Sequence, residues 1–88
     1  MTDYAITFAR SARKELEALD IAIIHRIWPR IEALAQEPRS KGCRKLQGEK
    51  YLWRIRTGDY RVVYAVYDND QRVDIVAVRH RSKAYEGL

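Results

Sequence analysis

Five arginines stand where a phosphate-handling site could be built: Arg54, Arg56, Arg61, Arg79 and Arg81, with Tyr85 four residues beyond the last of them. A guanidinium is planar, keeps its charge at any physiological pH and offers paired N–H donors that match two phosphate oxygens at once. Several on one patch repel each other unless something anionic binds there. A competing reading needs no ligand, with each arginine on a solvated edge paired to Asp59, Asp74 or Glu86. There is no GxxxxGK(S/T) loop, no GxGxxG, no Cys/His cluster and no tight grouping of carboxylates. Neither a metal site nor a cofactor is therefore expected. Cleavage of a phosphodiester without a metal uses the 2′-OH of RNA to attack the adjacent phosphate. Cations stabilise the added negative charge and acid–base groups move protons. That route confines the substrate to RNA.

The elements that must position these groups are strands. Tyr51–Thr57 and Asp59–Asp68 alternate in character and are joined by a tight turn at Gly58-Asp59. Leu52, Arg54 and Arg56 share one face, and Tyr51, Trp53 and Ile55 the other. In the second strand Val62, Tyr64 and Val66 form one row, and Arg61, Val63, Ala65 and Tyr67 the other. After a turn at Asp68-Asn69-Asp70, a strand Arg72–His80 groups Val73, Ile75, Ala77 and Arg79 against Asp74, Val76, Val78 and His80. The hairpin turn folds Arg56 back on Arg61. Antiparallel pairing brings Arg79, Arg81 and the Tyr85 segment to the same corner. Tyr51, Trp53 and Tyr64 fall on the row expected to face the core and Tyr67 at the far end of its strand, so base stacking is assigned to none of them.

Upstream, Thr2–Ala9 alternates as a half-buried strand, and from about Arg10 the period becomes helical. Ala12, Leu16 and Leu19 mark one apolar stripe; Ile21, Ile24, Ile27, Trp28, Ile31 and Leu34 mark a second, with Asp20 placed to cap it. Pro29 inside that stripe predicts a kink near His25–Trp28 or two abutting helical pieces. Trp28 is expected in the core and His25 on the surface. Glu37-Pro38 ends the helix, Arg39–Glu49 reads as a basic loop, and Arg81–Leu88 as a short polar tail. The order is β-α-α-β-β-β. It predicts an α+β fold with a helical hairpin packed on one face of a small, mostly antiparallel sheet.

The 88 residues are expected to form one domain, 1–88. Lys and Arg number 17 against 12 Asp and Glu, so the chain carries net charge +5 and suits a polyanionic or acidic partner. A single cysteine, Cys43, allows no internal disulfide and points to a reducing cytosol. No run approaches the ~18 apolar residues of a membrane span, and a cytoplasmic location is expected.

The runs KLQG (Lys45–Gly48), LWRIRTGDYRVVYAV (Leu52–Val66) and VAVRHRSKAY (Val76–Tyr85) together resemble the RelE/ParE superfamily of bacterial toxins, and the resemblance spans nearly the whole chain. It implies a microbial-RNase-like sheet with two helices on one face. It also implies a type II toxin, monomeric alone and hetero-oligomeric with a cognate antitoxin. RelE-like members are ribosome-dependent mRNA endoribonucleases acting in the A site without a metal; ParE-like members poison DNA gyrase and lack the catalytic set. The RelE-like set maps onto Arg54 and Arg56 before the turn, Arg61 after it, Arg79 and Arg81 at the end of the last strand, and Tyr85. The resemblance therefore implies mRNA and ribosomal RNA as partners, and inhibition of translation. Lys45 in the basic loop and Lys50 just after it join Arg54 and Arg56 as substrate-binding candidates. Best-known RelE-type members carry Lys at one or both positions of Arg54 and Arg56. Arginine cannot serve as a base there, so proton transfer falls to Tyr85, whose phenolate nearby guanidiniums favour, or to His80 as second choice. Arg79 or Arg81 would protonate or stabilise the leaving 5′-oxygen. A module that has kept the fold and binds RNA or protein without catalysis stays open beside both toxin readings.

Overall fold

Alternating side chains drive Leu52–Thr57, Tyr60–Tyr67 and Arg72–His80 into the centre of one sheet in a computed structural model that describes residues 3–88. Thr2, the first residue of the expected N-terminal strand, lies outside the described residues. In chain order the elements are β1 (Ala5–Phe8), α1 (Arg10–Glu17), α2 (Ile21–Ala33), β2 (Arg44–Lys45), β3 (Leu52–Thr57), β4 (Tyr60–Tyr67) and β5 (Arg72–His80), followed by a single 3₁₀ turn, Arg81–Lys83. The sheet order is β1-β5-β4-β3-β2. β1 pairs parallel with β5, and every other neighbour is antiparallel.

Both helices pack on one face. Ala12 and Leu16 of α1 and Ile27 and Ile31 of α2 join Ile55, Val62, Tyr64, Val66, Val73, Ile75 and Val78 of the sheet in one buried cluster. Tyr64 is wholly buried, and its hydroxyl donates to the Pro38 carbonyl at 2.6 Å. That bond satisfies the one polar atom of the ring, and burial pushes the phenol's pKa up.

Four expectations are corrected. The register between β4 and β5 shifts at Val63/Tyr64, so Val63 faces Ala77, Tyr64 faces Ile75 and Val76 is the extra residue of a β-bulge. One inserted residue inverts the alternation beyond it. Val73, Ile75, Val78 and His80 consequently stand toward the helices, and Arg72, Asp74, Ala77 and Arg79 away from them. α2 runs unbroken through Pro29 rather than as two pieces. The carbonyl that proline leaves without a partner belongs to exposed His25, where water can hydrate it. Trp28 is not in the core; it is 40% exposed and stacks flat on Phe8 with ring centroids 6.1 Å apart. Finally, the loop 39–49 contains the two-residue edge strand β2. Asp20 does occupy the N-cap position of α2, but its side chain makes no capping bond.

The opposite face is covered as well. Val63, Ala65 and Ala77 are buried yet stand outside the helix-side cluster. The C-terminal segment lies on this side: Ala84 is 2% exposed, and Tyr85 and Leu88 share a groove with Arg44 and Arg54.

Candidate functional site

Cross-strand register, rather than sequence proximity, assembles the arginines. Thr57 pairs with Tyr60 around a two-residue turn whose first residue, Gly58, has φ +60°, the region that favours glycine and suits a II′ hairpin. Arg56 is therefore directly opposite Arg61, and Arg61 directly opposite Arg79. The next rung outward runs Arg44–Arg54–Val63–Ala77. Directly opposed residues share a face with Cβ atoms ~5 Å apart, so Arg44, Arg54, Arg56, Arg61 and Arg79 start from one patch on the side away from the helices.

The guanidiniums then diverge. Arg61 Nη1 donates to the Gly58 and Tyr60 carbonyls at 3.1 and 3.0 Å, and the residue is half-buried. Arg56 is exposed and Arg54 half-buried. Arg79 reaches over the edge of β5. β1 ends opposite Ile75, so beyond that point the edge is uncovered and α1 supplies the missing partner. Glu15 accepts the Val78 N–H at 3.0 Å on one carboxylate oxygen and Arg79 Nε at 2.7 Å on the other. Arg79 Nη1 also donates to the Glu86 carbonyl in the tail. Arg79 thus ties α1, β5 and the C-terminal segment together.

That segment separates two grooves. One, about 590 Å³, lies between α1 and the end of β5 and includes Glu15, Arg79, His80 and Lys83. The other, about 480 Å³, is lined by Arg44, Arg54, Glu49 and Tyr85. Tyr85 is thereby beside Arg44 and Arg54, with Arg79 on the other side of the tail. His80 is opposite Tyr60, packs edge-on against its ring at 5.6 Å and accepts the Ser82 N–H at Nδ1, capping the 3₁₀ turn. Accepting there puts the proton of a neutral ring on Nε2. Its row is the helix-facing one, opposite to the arginines. Arg81 is exposed, and its backbone N–H bonds the Asp59 carbonyl at 2.7 Å. Lys45 is opposite Trp53, on the other row from Arg54, and Lys50 lines a separate groove at the far end of β3.

Two residues of this arrangement escape a reading of the sequence alone. Arg44 sits in a strand too short to show a period. Glu15 meets Val78 and Arg79 across more than 60 residues of chain, a contact that no local pattern encodes. Among the described residues no group of three His, Cys, Asp or Glu is placed to hold a metal ion.

A second cluster braces the sheet at the opposite end. Asp68 accepts from Tyr4 Oη at 2.7 Å and from Arg39 Nη1 and Nη2 at 3.0 and 2.7 Å. The bidentate Arg39 and then the Tyr4 hydroxyl hold the Asp68 carboxyl down to about 2, from an ordinary 3.8.

Residues 6–85 match the family model described as the ParE toxin of the parDE type II toxin–antitoxin system. The chain is 33% identical over 86 residues, 93% of its length and 90% of the relative's, to an Escherichia coli protein described as a RelE-like toxin. Its structure resembles a chain of the archaeal RelE–RelB complex from Pyrococcus horikoshii (TM-score 0.77, 34% identity, 96% of this chain and 100% of that one). A chain of the RelBE2 toxin–antitoxin complex from Mycobacterium tuberculosis superposes with TM-score 0.80 at 28% identity, covering 90% and 99% of the two chains.

Proposed function

The chain belongs to the RelE/ParE superfamily of type II toxins, and from that premise we propose that it is a ribosome-dependent, metal-free mRNA endoribonuclease. One observation carries the proposal: the rung Arg56–Arg61–Arg79 beside Arg44 and Arg54, with Tyr85 in the same groove as Arg54. Arg54, Arg56 and Arg61 hold the non-bridging oxygens of the scissile phosphate. Tyr85 acts as the base that takes the proton of the 2′-OH as that oxygen attacks the adjacent phosphorus. The bond from phosphorus to the 5′-oxygen breaks, giving a 2′,3′-cyclic phosphate and a 5′-hydroxyl that takes its proton from water. Arg81, exposed one residue past the last strand, stabilises the leaving oxygen. Guanidiniums are the right groups here because the charge they oppose grows toward the transition state.

His80 is the weaker base in this reading, since it faces the helices and is engaged in capping the tail turn. Arg79 anchors the tail more than it meets the leaving group. Lys45 and Lys50 lie off the scissile patch and act, if on RNA, elsewhere along it.

An antitoxin is the expected protein partner, as the two complexes similar to this chain pair RelE-type and RelB-type proteins. No helix among the described residues is long and apolar enough to cross a membrane. A second reading has its own support, because the matching family model is named for the ParE toxin. Primer extension on a defined mRNA in a reconstituted translation system, with and without ribosomes, separates the two. Ribosome-dependent cuts within the A-site codon that vanish in Arg61→Ala are the expected result. No cuts with the wild type would move the assignment to gyrase, tested by cleavage of supercoiled DNA.

A further inference from the structure

Of the aromatic residues expected on the core-facing row of β3 and β4, Tyr64 is buried and Trp53 packs against the core, but Tyr51 stands apart at the far end of the sheet. Tyr51 is 49% exposed. With Trp53 and Tyr67 it lines a groove of about 690 Å³ that also receives Arg39, Lys45 and Lys50. Each ring carries its own cation: Lys50 Nζ is 5.5 Å from the Tyr51 centroid, Arg39 Cζ 5.4 Å from that of Trp53, and Arg72 Cζ 4.7 Å from that of Tyr67. The Tyr51 and Tyr67 rings are 5.7 Å apart and tilted by 39°. Asp68 and Asp70 also border the groove, but Asp68 is neutralised by Arg39. Lys45 and Lys50 form no ion pair among the described residues.

We infer that this groove is a second RNA contact, in which a single-stranded stretch stacks bases on Tyr51 and Tyr67 while Lys45 and Lys50 hold its phosphates. Rings at the rim of a groove, interleaved with flexible cations, suit bases and backbone together, with little sequence demand, because every base has a π-face. The placement fits one strand serving both sites. Trp53 and Arg56 are three residues apart on β3, about 10 Å along the strand but on opposite faces, so the RNA would pass round the β2 edge of the sheet. Lys45 borders this groove and the one holding Arg54 and Tyr85, so cations run continuously between them. The groove would hold nucleotides flanking the cut and add affinity without touching the reacting phosphate. The inference rests on the endoribonuclease reading for the identity of its ligand.

The test is fluorescence anisotropy of the full chain with a labelled, unstructured 12-nucleotide RNA made uncleavable by 2′-O-methyl groups. Tyr51→Ala and Tyr67→Ala should each weaken binding about ten-fold, the loss of one stacked base, while Tyr51→Phe binds as wild type. Lys50→Gln should lower the slope of log affinity against log salt by about 0.7. Tyr51 is exposed, so its variants should melt at the wild-type temperature. Affinities unchanged in both alanine variants would overturn the inference. So would protection of Tyr51 and Tyr67 by an antitoxin but not by RNA, which would make the groove a protein interface. Primer extension run alongside keeps the two readings apart. Stacking-dependent binding without ribosome-dependent cuts sinks the endoribonuclease and spares the groove, whereas cuts with no effect of the tyrosines on binding do the reverse.

Discussion

Arg61 occupies the middle of the rung, flanked by Arg56 and Arg79, with two of its bonds already made to the turn that presents it. A donor fixed before substrate arrives loses little entropy on binding and needs no reorganisation as charge develops. Arg61→Ala should lower the cleavage rate by about 10²- to 10³-fold, the usual effect of removing one such donor, while leaving the thermal unfolding temperature close to wild type. Glu15 acts at one remove. By holding Val78 N–H and Arg79 together, and Arg79 the tail, it positions the segment that carries Tyr85. Glu15→Ala should speed amide exchange in residues 81–88 and reduce kcat about ten-fold with KM for ribosomes unchanged, a split expected of a positioning residue. An unchanged exchange rate in the tail would show that Arg79 does not restrain it.

At the scale of elements, the bulge at Val76 decides which residues of β5 join the arginines. With Val76 paired in an unbulged ladder, Val78 and His80 would stand opposite the wrong row, since a one-residue slip exchanges the two faces of a strand. Deleting Val76, the extra residue, should therefore leave Ala77, Val78 and Arg79 on their present rows and keep a single sharp thermal transition. The Asp68 knot joins the residue before β1, the loop after α2 and the turn between β4 and β5. Because the Asp68 carboxyl is held at about 2 in the fold against 3.8 otherwise, its stabilisation is complete above the higher value and is lost as pH falls through the lower one. Asp68→Asn should melt below wild type at pH 7, and the difference should close between pH 4 and pH 2. The carboxylate is exposed, so the gap should also narrow with added salt.

For the whole molecule, a small chain concentrates its apolar burial in a single helix-side cluster and leaves the other face to a short tail and the stems of arginines. Ile31 is wholly buried where α2 meets the sheet, and Ile31→Ala should cost about 2–5 kcal/mol, measured by urea unfolding. For a domain of this size that is a large share of the total. The tail buries little besides Ala84, so segments carrying Tyr85 should open before the sheet does in native-state exchange.

How much of this was legible beforehand follows from the range of the forces involved. Period-two and helical patterns are local, and they placed four strands, two helices, the Gly58-Asp59 turn and the meeting of Arg56 with Arg61. The motif runs from Lys45 to Tyr85 carried the family. What the pattern could not carry is anything set by partners distant in sequence. The bulge at Val76 depends on how β5 fits β4, the exposure of Trp28 and Tyr51 on where the neighbouring layer stops, and the capture of Arg79 by Glu15 on an edge that β1 leaves bare. The sequence by itself determined which residues could bind phosphate. Only the tertiary structure decided which of them share a face, because that depends on register and on layer boundaries created when the elements pack.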